Sequence, residues 1–125
     1  MKKQIIIYLF SCLLLFSCDL IGPSITKTIK YTVTSTLPSA DIVYHNSTGM
    51  RDTLDDVTLP WETSFSVTIE YMDSYYATVM AFGRPLSTSG SITVSIFVNG
   101  KLLKTSTGSS LYSSPSAFAS EFISN

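Results

Sequence analysis

Gly90-Ser-Ile-Thr-Val-Ser-Ile-Phe-Val98, followed by Asn99-Gly100 and then Lys101-Leu-Leu-Lys-Thr105, is the stretch on which the reading of the fold turns. Ile92, Val94, Ile96 and Val98 fall on one side of a period of two, with Thr93, Ser95 and Phe97 on the other, the pattern of a strand with one buried face. Asn-Gly supplies the two positive φ angles of a type I′ turn, so the run that follows returns beside the first as a hairpin. The same period recurs towards both ends of the chain. Ile29, Tyr31 and Val33 alternate with Lys30, Thr32 and Thr34, and Phe65, Val67, Ile69 and Tyr71 alternate with Ser66, Thr68 and Glu70. Residues 40–46, 53–59 and 75–82 also read as extended, the last apolar on both faces as an inner strand is. The tail 113–125, with Phe118, Ser120 and Phe122 in alternation, is predicted to close the sheet. Pro38-Ser39, Ser47-Thr48-Gly49, Gly83-Arg84-Pro85 and Ser89-Gly90 carry the turn chemistry between these runs. The N-terminal segment aside, no helical period interrupts them. The chain is therefore predicted to be all-β, an antiparallel immunoglobulin-like β-sandwich of about seven to eight strands.

The N-terminus indicates where the domain works. Lys2 and Lys3 precede an apolar run over residues 5–16 that is broken only by Ser11, which fits a signal peptide. The run is shorter than the about 20 apolar residues a spanning helix needs. Its end, Leu15-Phe16-Ser17-Cys18, resembles the lipobox of bacterial lipoprotein precursors, with a leucine three before and a small residue one before the cysteine. The same letters at Leu9-Phe10-Ser11-Cys12 would leave Leu13, Leu14, Leu15 and Phe16 exposed after cutting. The expectation is therefore a signal peptide over residues 1–17, lipidation of Cys18, and a short tether to residue 26 that contains Gly22-Pro23. The β-sandwich would occupy residues 27–125. The eight tether residues after the cysteine reach at most about 26 Å, which would hold the domain close to a membrane. The predicted location is the bacterial cell envelope, lipid-anchored and extracytoplasmic.

Charge and cysteine content exclude several function classes. After removal of residues 1–17, six cations stand against nine acids, a formal charge of −3. Such a surface has no basic stripe and does not attract a phosphate backbone, so no nucleic-acid partner is expected. Cys12 would leave with the signal peptide and Cys18 would be acylated, so no disulfide, zinc–cysteine site or thiol nucleophile remains. The only histidine, His45, shares a strand face with Asp41, but four residues along a strand separate them by about 13 Å. They form no dyad by themselves, and there is no Gly-x-Ser-x-Gly elbow. Asp52, Asp55 and Asp56 lack EF-hand spacing. No catalytic residue, metal site or cofactor is predicted.

Aromatic residues are the remaining candidates. Tyr75, Tyr76 and Phe97, with Phe82, are expected to supply aromatic surface on one sheet for a partner. Trp61, after Pro60, is expected to open an inner strand and sit in the core; it is also kept as a candidate contact, since an exposed tryptophan could stack on a sugar. Asn46-Ser47-Thr48 matches the N-glycosylation pattern but is read as a hairpin turn.

The string Ala40-Asp41-Ile42-Val43-Tyr44, then Gly49, Leu59-Pro60-Trp61, Gly90-Ser91-Ile92-Thr93-Val94 with Ile96, and Asn99-Gly100-Lys101 resembles the extracytoplasmic domain of the mycobacterial small membrane protein family, MmpS. It covers about residues 29–122. The resemblance implies a β-sandwich, no catalytic motif, and an accessory role for large proton-driven exporters of lipids and lipid-like molecules. Family members commonly carry a membrane-spanning helix and a disulfide, whereas here the anchor is acyl, and Val94 and Ser120 stand where the cysteines fall. The function expected from the sequence is a non-enzymatic accessory or binding module in the cell envelope, with an exporter or another envelope protein as partner. The alternative is a surface lipoprotein that binds a sugar or lipid.

Overall fold

The computed structural model describes residues 22–125, and the signal peptide, Cys18 and the tether up to residue 21 lie outside the described residues. Eight strands follow one another: β1 (Ile25–Ser35), β2 (Ser39–His45), β3 (Arg51–Thr58), β4 (Trp61–Ile69), β5 (Ser74–Arg84), β6 (Gly90–Val98), β7 (Lys101–Ser110) and β8 (Ser116–Ser124). They form two four-stranded antiparallel sheets. Sheet I runs β4-β1-β6-β7 and sheet II runs β3-β2-β5-β8. The architecture is the immunoglobulin-like β-sandwich expected from the alternation.

The core lies where the two sheets face each other. Sheet I contributes Ile29, Tyr31, Val33, Val67, Ile69, Ile92, Val94 and Ile96; sheet II contributes Ala40, Ile42, Tyr75, Ala77, Val79, Ala81, Ala117, Ala119 and Ile123. Large side chains thus meet small ones across the interface, which fills the space between sheets about 10 Å apart without forcing rotamers. At the centre the Tyr75 hydroxyl donates to the carbonyls of His45 and Asn46, at 2.9 and 2.7 Å. Its single proton is thereby used, so the Tyr31 hydroxyl donates to the Tyr75 oxygen across 3.3 Å. Burial, ahead of this hydrogen bond, pushes the Tyr31 hydroxyl pKa well above the ordinary tyrosine value.

Turns form where the sequence places them. Asn99 and Gly100 have φ of 51° and 80°, the two left-handed residues of a type I′ turn. Asn99 also hydrogen-bonds β1 twice, its N–H to the Thr28 carbonyl at 2.8 Å and its Oδ1 from the Thr28 N–H at 2.9 Å. Asn46 Oδ1 accepts from the N–H groups of Thr48 and Met50 and from the Thr48 hydroxyl. That side chain is used up in closing the β2–β3 turn.

Five details depart from the expectation. Ile25 and Thr26, assigned to the tether, pair with Ile69 and Thr68 as the start of β1. The tether's described remainder packs on the domain, with Asn125 Nδ2 donating to the Pro23 carbonyl at 2.8 Å. Tyr71 lies beyond the end of β4 and is half exposed, because the chain turns at Glu70–Asp73. Trp61 opens an edge strand rather than an inner one, since β4 has β1 as its sole neighbour in sheet I. Finally, Val94 faces the core from β6 while Ser120 belongs to the outward-facing set of β8, so these two positions do not oppose each other.

The edges are treated differently. β7 packs alongside β8 and joins the two sheets. Gly108 makes this approach feasible, because a Cβ there would collide with the Ser116 carbonyl. Lys104 and Glu121 add an ion pair across the same seam, at 3.9 Å. On the other side β3 carries Asp52, Asp55 and Asp56, charges that discourage further strand pairing.

Candidate functional site

Strand β5 sets the site because both of its faces are apolar. Tyr75, Ala77, Val79 and Ala81 point into the core, so Tyr76, Thr78, Met80 and Phe82 point out of sheet II. The register with β8 places Phe122 opposite Tyr76 and Phe118 opposite Met80. The β2 register places Val43 beside Met80 on the other flank. The outer face of sheet II is therefore a band of Tyr76, Met80, Phe82, Phe118 and Phe122. Tyr76, Phe82, Phe118 and Phe122 are 38, 43, 50 and 69% exposed. The rings of Tyr76 and Phe122 lie 4.6 Å apart at 36°, an offset contact that holds both rings in place.

A polar border surrounds the band. His45 Nδ1 lies 3.1 Å from the Tyr76 carbonyl, which can only accept, so Nδ1 carries the proton. Its ring also lies 5.7 Å from that of Tyr76. At the far end Arg84 donates to Asp41 Oδ2 through Nε at 2.9 Å and Nη2 at 2.5 Å, while Asp41 Oδ1 accepts the Asp56 N–H at 2.9 Å. These bonds, those from Arg84 first, hold the Asp41 carboxyl below its ordinary range. Asp41 and His45 thus serve separate partners, and among the described residues no acid lies within ion-pair distance of the histidine. Of the three clustered acids, Asp56 accepts from the Ser39 hydroxyl at 2.5 Å. Among the described residues no three histidine, cysteine or acidic side chains gather closely enough to hold a metal.

The four aromatic candidates read from the sequence do not form one surface. Tyr76 is outward and belongs to the band. Tyr75, one residue earlier on the same strand, is inward and 9% exposed, because the pleat sends neighbours to opposite faces. Phe97 lies on the outside of the other sheet, beneath the Lys30 ammonium at 5.0 Å from the ring centre. Trp61 is half-buried at the open side of the sandwich, its ring 5.4 Å from Tyr44, in a chain of contacts that runs through Tyr31 and Phe65 to Tyr75. Tyr75 and Trp61 are thus packing residues. Phe118 and Phe122, two of the most exposed members of the band, stand in the alternation of the closing strand, which by itself does not say which face is outward. The signal that could have found them is Ala117, Ala119 and Ile123 on the opposite parity.

The outer face of sheet I is of another kind. Thr26 and Thr68, Thr93 and Thr107, and Ser95 and Thr105 form hydroxyl pairs across neighbouring strands, at 3.3, 2.7 and 3.0 Å. Hydroxyls that satisfy one another leave little to bind a partner. Among the described residues no helix is long and apolar enough to cross a membrane. No family model matches the chain, and no curated protein matches it.

Proposed function

We propose that the chain is a membrane-anchored lipoprotein, acylated at Cys18, that acts as a non-enzymatic accessory or binding module in the bacterial cell envelope and docks an envelope protein on the outer face of sheet II. The observation that carries this reading is the contiguous exposed band of Tyr76, Phe82, Phe118 and Phe122 on the outer face of sheet II. Contiguous exposed aromatics are costly to leave in water, and such patches mark contact surfaces. The N-terminal pattern supports the anchor, and the resemblance to the MmpS domain supports an exporter as the partner. The one histidine, bound to a backbone carbonyl and without an acid, supports a role without chemistry.

The test compares pull-downs of the lipidated protein from detergent-solubilised envelope. Phe122→Glu, at an exposed site, is expected to lose a partner that native protein retains. Thr107→Glu on the outer face of sheet I is expected to retain it. Equal retention by both variants would remove sheet II from the interface. A fatty-acid label incorporated by the native chain and lost in Cys18→Ala tests the anchor separately.

A further inference from the structure

Within the band, β2, β5 and β8, with Arg51 at the start of β3, border an open cavity of about 240 Å³. Its floor is Val43 and Met80, and Phe118 and Tyr76 form walls. Thr78 lies among them, 6% exposed, and its Oγ1 is fully buried without a hydrogen-bond partner. A buried hydroxyl left unpaired in a native sheet is unusual and calls for a partner from outside the chain. The rim is cationic on one side. Arg51 borders the cavity, is exposed, and makes no ion pair among the described residues. His45 borders it too; its Nδ1 is held by the Tyr76 carbonyl, so Nε2 is the ring nitrogen left to meet a ligand. No carboxylate lines the cavity.

We infer that this cavity binds a small monocarboxylic acid with an aromatic or short aliphatic body. The body lies against Val43, Met80 and Phe118, in a space equal to about eight waters of liquid volume. The carboxylate meets the Arg51 guanidinium, which matches it in charge and in planar donor geometry. On rotation toward the cavity that Thr78 lines, its hydroxyl donates to the ligand and gains the partner it lacks. This inference goes beyond the docking role and does not need it: a soluble acid would bind the uncovered face of the free chain.

The experiment titrates the full-length chain, in non-ionic detergent, with 3-phenylpropionate and with its neutral amide, 3-phenylpropanamide, by calorimetry. The acid is expected to bind saturably at one site. The amide is expected to bind about two- to fivefold more weakly, the range for an ion pair at an exposed arginine. Arg51→Gln should erase the difference between the two probes, and Thr78→Val, which keeps the shape and removes the hydroxyl, should weaken both. Absence of saturable binding by either probe would overturn the inference. So would acid binding unchanged in both variants. If Thr78→Val does not fold, the Arg51→Gln result at its exposed site decides. Loss of the envelope partner in Phe122→Glu leaves this measurement unaffected, so the two readings fail separately.

Discussion

Sheet I turns Ile29, Tyr31, Val33, Ile92, Val94 and Ile96 inward and mainly threonine and serine outward, with Phe97 and Leu102 as an apolar pair among them, whereas sheet II turns five alanines inward and phenylalanine, tyrosine and methionine outward. The first is the usual economy of a half-buried sheet. The second reverses it: along β8 the larger side chains, Phe118 and Phe122, are the ones that face water, and the alanines are buried. Sheet I fills much of the space between the layers, so five of the nine core residues of sheet II are alanines, beside Ile42, Tyr75, Val79 and Ile123. Phe82, Phe118 and Phe122 stay outside. The contrast teaches that the aromatic band is not a by-product of burial, since a small inner face is compatible with a polar outer one.

The comparison breaks most severely if the bulk of sheet I proves dispensable. Ile96→Ala removes a fully buried side chain and is expected to cost about 2–5 kcal/mol in urea unfolding; a loss below about 1 kcal/mol would mean that sheet I does not fill the core. Ala81→Leu tests the other half. Added methylenes on the tight inner face of sheet II should destabilise by about 1–3 kcal/mol, and a neutral result would show unused space there. A smaller effect is expected at the rim of the band. The Asp41 carboxyl is held below its ordinary value by Arg84 and the Asp56 N–H, so the folded chain binds its proton less readily than the unfolded chain. The resulting stability is complete above about pH 4 and lost as the pH falls through the lower folded value. Asp41→Asn should therefore lower the melting temperature near neutrality, with the difference from the native chain shrinking as the pH falls through the acid limb. Smallest of all, Phe122→Ser should change stability by no more than about 0.5 kcal/mol, because its ring is largely in water already. A larger loss would make the band part of the fold rather than a surface.

The fold was legible because period two and the Asn99-Gly100 turn are local properties of the chain. Ile92, Val94 and Ile96 alternate with Thr93 and Ser95, so one parity alone can be buried. The candidate surface was less legible for the same reason. In β5, Tyr75, Ala77, Val79 and Ala81 compete with Tyr76, Met80 and Phe82, and in β8, Ala117 and Ala119 compete with Phe118 and Phe122. Both parities are apolar, and hydrophobicity alone favours the wrong one in β8. The choice is made by the volume that sheet I leaves free, a quantity that no single strand contains. The Asp41–Arg84 pair was hidden in a similar way, since it joins residues of neighbouring strands diagonally, Asp41 standing level with Phe82 and Arg84 two residues further along.

The position of β1 has a mechanical consequence. It lies inside sheet I with β4 along one edge and β6 along the other, registered from Ile25 to Val33 and from Ile29 to Ser35. A force applied at Gly22 along the strand therefore acts in shear on two ladders at once, so that many hydrogen bonds must fail together. A peeling force on an outer strand breaks its bonds one after another. A strand clamped on both sides is the better attachment for a pull, and the chain places it first.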